Sequence, residues 1–436
     1  MSYSDTIQYL YNLQKYGIKF GLENILSMMS CLGNPHKSFK VIHVAGTNGK
    51  GSTSAMIAQI LGKTGFRVGL YSSPHLVSFT ERIRVNGEKI SEEDVIRLTG
   101  FIRDKILKDI SQLSPTFFEV VTSMAFYYFK ERAVDWAVVE VGMGGRLDAT
   151  NVVEPEATVI TNVSLDHMEF LGNSIKEIAH EKAGIIKDSV PVISAVENSD
   201  ALSVIEDRCR EKGCDLSLYG RDFKGFLKEM DASNILFDYS GSRDYLDIHL
   251  SLSGIHQLYN SCIAIKVSEI LKEKGVRIDE SSIRDALSGL QWEGRLERLS
   301  DRPLIYLDSA HNPAAALCLS ETLKELLPDY KNLILVLGIM KDKDIKGVMM
   351  PLLPMCKEAI FTRPDYERAA EPEHLYEIAR GLGFSGHVRN RLNDAIDMAM
   401  SLWNDGDVIL VTGSFYTTGE VKQILGECGV LTRLRE

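Results

Sequence analysis

The sequence predicts an α/β protein of two domains, each built on a mostly parallel central sheet. Three observations carry that prediction. The chain has 436 residues, its short Val/Ile/Leu-rich runs alternate with longer amphipathic stretches, and the alternation starts afresh after residue 294. Domains usually hold about 100–200 residues, so this length admits two or three. Strands covered on both faces read as near-continuous apolar runs, and parallel neighbours need a helical crossover between them.

In chain order, strands are predicted at 40–45, 67–71, 136–141, 158–162 and 191–195. The intervening helices are clearest at 91–108 and 116–130. The second opens with Thr116-Phe117-Phe118-Glu119, a capping box in which hydroxyl and carboxylate satisfy orphan N–H groups reciprocally. Two alternating runs, 235–239 and 245–250, are split by Ser240-Gly241-Ser242-Arg243 and predict a hairpin at one edge of the first domain. A helix follows, with Leu258, Cys262, Ile265, Ile270 and Leu271 at helical spacing. After Trp292-Glu293-Gly294-Arg295 the cycle restarts with strands at 304–308, 333–337, 359–362 and 408–412. The boundary is therefore expected within 294–301, dividing the chain into 1–295 and 296–436.

Composition narrows the function classes. With 44% hydrophobic and 25% charged residues the chain is globular rather than disordered or fibrous. Its 49 basic against 60 acidic residues give a net charge of −11, which leaves no broad basic face for nucleic acid. Seven cysteines, an odd number with no CxxC pair, point to reduced thiols rather than a disulfide framework or a zinc site. No apolar stretch approaches the roughly 18–20 residues that span a bilayer, and the first ten residues lack a signal-peptide pattern. The expectation is a cytoplasmic monomer with neither membrane nor nucleic-acid partners.

The strongest local signal is Gly46-Thr47-Asn48-Gly49-Lys50-Gly51-Ser52, which follows an apolar strand and opens a helix. Glycines let successive N–H groups converge on a phosphate, the helix N-terminus adds its dipole, and Lys50 supplies a point charge for the outer phosphate oxygens. The first domain is thus expected to be P-loop NTPase-like, and the second, smaller one Rossmann-like. The loop departs from GxxxxGK[ST] in having Gly51 directly after Lys50. Glu140 ends an apolar strand and should project at the carboxyl edge of the sheet beside this loop, although a solvated strand end would look the same. Ser414 directly follows another apolar strand, which puts its hydroxyl at the same edge of the second domain as Asp308 and His311.

The loop resembles that of the Mur ligase superfamily, in particular its folate branch, the folylpolyglutamate synthases that often double as dihydrofolate synthases. Four further segments carry the resemblance: Ser72-Ser73-Pro74-His75-Leu76 leading to Glu81-Arg82-Ile83, Val139 to Asn151 with Gly142-Met143-Gly144-Gly145 at its centre, Leu165-Asp166-His167, and Asp308-Ser309-Ala310-His311-Asn312-Pro313. What the resemblance implies is an ATP-dependent ligase that joins L-glutamate to dihydropteroate or to folates through an acyl phosphate.

By the same resemblance, ATP is held by residues 46–52 with Asn260, Arg295 and Asp308, and two Mg²⁺ ions are held with help from Ser73, Glu140 and His167. Lys182 becomes carbamylated and serves as an anionic metal ligand, with Lys187 a nearby decoy. Dihydropteroate meets Thr116, Phe117, Phe118, Glu119, Leu147, Asp148 and Ala149. His311 and Ser414 hold glutamate, and Arg82 adds an anion contact near Ser73. Lys50, Lys182 and His311 are the residues closest to the chemistry. Read without the family, Asp308 fits an N-cap of a helix starting near Pro313, Phe117 and Phe118 fit a core, Glu119 fits its capping box alone, and His167 fits a structural loop histidine. The rival functions are a peptidoglycan-type amino-acid ligase and a P-loop kinase or NTPase with a partner-binding second domain. Only about 40 residues precede the phosphate loop, which disfavours the first.

Overall fold

A computed structural model of the protein describes residues 2–16, 21–109, 113–326 and 330–426. In chain order its strands are β1 (Lys40–Ala45), β2 (Val68–Tyr71), β3 (Ile83–Val85), β4 (Glu88–Lys89), β5 (Trp136–Glu140), β6 (Ala157–Ile160), β7 (Val192–Ser194) and β8 (Leu216–Leu218). These form one sheet in the order β4-β3-β2-β5-β1-β6-β7-β8, parallel except where β3 pairs with β2 and β4. β9 (Lys224–Met230), β10 (Ile235–Ser240) and β11 (Tyr245–Leu250) make a separate antiparallel sheet. β12 (Glu297–Asp301), β13 (Leu304–Leu307), β14 (Leu333–Leu337), β15 (Cys356–Phe361), β16 (His387–Val388) and β17 (Val408–Thr412) form a third, ordered β12-β13-β17-β14-β15-β16.

Burial explains why the apolar runs became central strands. Every residue of β5, β14 and β17 is buried, as is β1 after its first residue. Alternate residues of β1 serve opposite faces. Val41 packs with the helices Tyr3–Asn12, Glu23–Cys31, Glu92–Asp109 and Phe117–Glu131. Ile42 and Val44 pack with the helices Lys50–Lys63, Ile255–Glu273 and Glu280–Ser288 and with the three-stranded sheet. β1 lies between β5 and β6, so the chain leaves it toward one side and later returns to the other, the kind of switch point at which open α/β sheets bind ligands.

Three features differ from the sequence reading. The hairpin 235–250 gains β9 as a third strand, which alternation could not reveal because most of β9 is exposed. Residues 297–301, expected as part of a boundary segment, are an edge strand antiparallel to β13. β3, β4, β8 and β16 are two or three residues long, too short for a periodic signal. The helix after the phosphate loop starts at Lys50. The capping box at Thr116 and Glu119 is formed as read.

Among the described residues no helix is long and apolar enough to cross a membrane. Cys31, Cys209, Cys214, Cys262, Cys318 and Cys356 are free thiols, and Cys428 lies outside the described residues.

Candidate active site

The carboxyl ends of both large sheets open onto one cavity of about 1090 Å³. At its centre is the phosphate loop, shaped by close packing. Gly49 has φ +82°, and a Cβ there would collide with the Asn260 carboxamide at the start of the helix Ile255–Glu273, so only glycine lets the two approach. The loop is braced by the segment after β6: Thr47 N donates to Asn162 O (3.0 Å), Asn48 N to Asn162 Oδ1 (2.8 Å), and Thr161 Oγ1 to Asn48 O (2.6 Å). Gln257 reaches both ways: its Nε2 donates to Ser52 Oγ at 3.4 Å, and its Oε1 accepts from Asn260 Nδ2 at 3.0 Å.

Charges in this centre are buried and incompletely matched. Lys50 Nζ folds back onto its own loop, donating to Gly46 O (3.0 Å) and Thr47 O (3.1 Å). Lys182 Nζ donates to the same Gly46 carbonyl at 2.9 Å. Burial, followed by the charge of Lys50, pulls the Lys182 ammonium down to about 7. Glu140 accepts a hydrogen bond from Ser73 N (3.2 Å), and burial raises its carboxyl to about 7 against the opposing charge of Lys50. His167 sits at the cavity wall with its side chain 38% exposed, beside Asp166. Lys187, the decoy, points elsewhere, to Asn151 O at 3.0 Å. The structure thus separates the two lysines that spacing alone left open.

Among the described residues no group of three His, Cys, Asp or Glu side chains is close enough to hold a metal ion. Mg²⁺ commonly takes one or two protein oxygens and fills its octahedron with phosphates and water. Glu140 and Ser73 carry oxygens of the kind such an ion would accept, whereas the His167 nitrogen is a less natural ligand for so hard an ion.

One end of the cavity is aromatic. Phe117 and Phe118 start the helix Phe117–Glu131, and a Cβ on Gly142 would strike the Phe118 ring, so the glycine-rich turn after β5 lies flat against it. Glu119 is occupied as its capping role predicts: Oε2 accepts from Thr116 N (2.7 Å) and Thr116 Oγ1 (3.0 Å). Asp148 organises its own loop, taking Thr150 N (3.0 Å), Thr150 Oγ1 (2.5 Å) and Met143 N (3.0 Å). Thr116, Leu147 and Ala149 also line this end. Arg82 does not. It is fully buried, its Nε donating to His75 Nδ1 (2.8 Å) and its guanidinium lying 5.2 Å from the Phe117 ring centre, and its charge reaches Glu140.

The opposite wall comes from the second sheet. Arg295 lies over Phe415 at 4.7 Å, its pKa depressed by desolvation. Asp308 is not the N-cap of the helix Pro313–Leu326, since Asn312 Oδ1 takes Ala315 N instead (2.9 Å). Asp308 accepts from Leu296 N (2.9 Å) and Ala310 N (2.8 Å), tying the interdomain segment to the end of β13. His311 Nδ1 bonds Ser309 O (2.9 Å). Ser414 caps the helix Phe415–Ile424, accepting from Thr417 N at 3.1 Å.

Sequence reasoning missed Lys343 and gave Asp166 no role. Lys343 Nζ donates to Asp166 Oδ1 at 2.6 Å across the cavity, and His311 Nε2 stands 3.5 Å from Asp166 Oδ2. Burial alone would raise the Asp166 carboxyl, but the hydrogen bond and charge of His311, then His167 and Lys343, hold it far below the carboxylate range. The signal was present, since Met340-Lys341-Asp342-Lys343 follows the buried strand β14 as Asp308 follows β13.

A phosphate loop facing a second α/β domain across one cavity is the architecture of a two-domain nucleotide-dependent enzyme. Residues 44–268 match the Mur ligase middle domain and 294–415 the Mur ligase glutamate ligase domain. The chain is 35% identical over 434 residues to the dihydrofolate synthase/folylpolyglutamate synthase of Bacillus subtilis, covering 97% of this chain and 99% of that one. It is similar to the crystal structure of folylpolyglutamate synthase from Thermotoga maritima (37% identity, TM-score 0.86, 99% of each chain covered). It is also similar to the E. coli enzyme in complex with DHPP and ADP (33% identity, TM-score 0.87, 98% of each chain covered). The chain belongs to the Mur ligase family, within its folylpolyglutamate synthase/dihydrofolate synthase branch.

Proposed function

We propose that this chain joins L-glutamate to dihydropteroate, to folates, or to both, in an ATP-driven amide ligation carried out in the cytoplasm by a monomer. One observation carries the reading: a single cavity joins the phosphate loop, an aromatic end and the polar edge of a second domain. A carboxylate cannot expel oxide, so its oxygen first attacks the γ-phosphorus of ATP, releasing ADP and leaving an acyl phosphate. The glutamate amine then attacks the acyl carbon, loses a proton, and the tetrahedral intermediate collapses with phosphate as leaving group.

In this reading residues 46–52 cradle the phosphates, and Lys50 leaves its carbonyls to meet the γ-phosphoryl group. Asn260, Arg295 and Asp308 border the nucleotide, Arg295 offsetting charge on the transferring group. Thr116, Phe117, Phe118, Leu147, Asp148 and Ala149 form the pterin end, where the rings offer π faces. His311 and Ser414 border the glutamate. Ser73, Glu140 and His167 would hold Mg²⁺, which neutralises phosphoryl charge when bound. Lys182 is the proposed carbamate: an amine lowered to about 7 has a substantial neutral fraction near neutral pH, the form that adds to CO₂. Residues 1–295 and 296–436 act as the two domains.

The test is ADP release with ATP and Mg²⁺, supplying dihydropteroate or tetrahydrofolate in turn, each with and without L-glutamate. Release that requires a pteroyl acid and glutamate together, with a product one glutamyl unit heavier, is expected. Release indifferent to both would make the protein an NTPase.

A further inference from the structure

Asn312 lies between the segment that carries His311 and the helix Pro313–Leu326, with only 2% of its surface exposed. Its carboxamide is fully used. Oδ1 accepts from Ala315 N (2.9 Å), capping that helix, and from Asn48 Nδ2 (3.2 Å). Nδ2 donates to Asn48 Oδ1 (2.9 Å) and to Asp166 Oδ2 (3.1 Å). Two donors and two acceptors are all that a primary amide has.

Its partners are fixed in turn. Asn48 is held by Asn162 and Thr161 through its own backbone, so it moves with the phosphate loop. Asp166 anchors Lys343 and neighbours His311. A reciprocal amide pair therefore bolts the phosphate loop to the edge of the second sheet, one residue from His311.

We infer that Asn312 is a positioning residue that registers His311 and Lys343 against the phosphate loop, so that the glutamate amine meets the acyl phosphate. This rests on the ligase reading above. Small misplacements of reacting groups are costly because ligation depends on near-attack geometry. Asparagine is required because aspartate cannot donate and would set a second carboxylate against Asp166.

The test combines glutamate-dependent ADP release with calorimetric binding of a non-hydrolysable ATP analogue, on Asn312→Ala, Asn312→Asp, Asn48→Ala and the Asn48→Ala/Asn312→Ala double variant. Asn312→Asp keeps acceptors for Ala315 N and Asn48 Nδ2, so the helix cap survives while the bonds donated to Asn48 Oδ1 and Asp166 Oδ2 are lost and two carboxylates are set against each other. Both Asn312 variants are expected to lose about 100-fold in kcat/KM for glutamate, with analogue affinity changed by less than about threefold. The double variant should be within about threefold of Asn312→Ala alone, because the amide pair acts as a unit. Wild-type glutamate kinetics in Asn312→Asp, equal losses for nucleotide and glutamate, or additive effects in the double variant would each overturn the inference. Absence of glutamate-dependent release in the unaltered protein would instead bring down the ligase reading, and this inference with it.

Discussion

The two sheet edges that face each other across the cavity solve the same problem differently. At the first, Lys50 and Lys182 compete for one carbonyl, and Glu140 lies buried against a backbone N–H. At the second, polar side chains are already committed: Asp308 to Leu296 and Ala310, Ser414 to Thr417, His311 to Ser309. Buried charge without a matched partner is destabilising, and the first edge is where such charge collects. The second is a scaffold whose internal hydrogen bonds fix where its atoms point. Incompletely matched charge sits on one side of the cavity and committed hydrogen bonds on the other.

Removing a charge from the first edge gives the largest expected effect. Lys50→Ala should lower pteroyl- and glutamate-dependent ADP release at least about 10³-fold, since preorganised charge on the phosphoryl group supplies most of such catalysis. Thermal unfolding of the ligand-free variant should stay at or above that of the parent, because the lost ammonium is buried, donates to carbonyls of its own loop, and is opposed by Glu140 only through space. A large drop in unfolding temperature would mean that Lys50 is structural and the contrast between the edges is false.

A smaller effect follows from pH. The Glu140 carboxyl is raised from 4.5 to about 7, so between those values the folded form holds a proton that the unfolded chain has released, and stability falls as pH rises. The Lys182 ammonium is lowered from 10.5 to about 7, so from 7 upward the unfolded chain holds the extra proton and stability rises with pH. Together they predict a dip in ligand-free stability near pH 7. Unfolding temperature against pH should show the descending limb shrink in Glu140→Gln and the ascending limb in Lys182→Met. Curves parallel to the parent would mean that these groups titrate normally.

The same contrast explains what the sequence could reveal. The phosphate loop and the strand-end position of Glu140 were legible because glycine spacing and a carboxylate closing an apolar run are local patterns, whereas the residues alone fitted Phe117 and Phe118 to a core and only the resemblance gave them a substrate. Asp308 was legible as a strand-end residue, yet its partner Leu296 lies across a β-ladder whose edge strand, 297–301, has no clear periodicity. Sequence puts Arg82 near Ser73 but cannot show that it is fully buried against His75 and against Phe117 from a later helix. The Asp166–Lys343 pair spans 177 positions, and only tertiary structure brings such groups together.

The smallest predicted effect probes the committed edge. Ser414 caps the helix Phe415–Ile424 and also bonds Thr417 Oγ1 at 2.8 Å. Losing a serine cap costs about 1 kcal/mol, so Ser414→Ala should lower stability to denaturant by that order. Ser414→Thr, which keeps the oxygen, should recover most of it. If the hydroxyl acts on glutamate through the geometry it imposes, glutamate KM should follow stability across the two variants, rising a few-fold in Ser414→Ala and returning in Ser414→Thr. A rise in KM without loss of stability would show a hydroxyl reserved for substrate, and would move Ser414 to the unfilled side of the comparison. The capping bonds argue for the first outcome, because a hydroxyl that accepts from Thr417 N and pairs with Thr417 Oγ1 has little capacity left for a ligand.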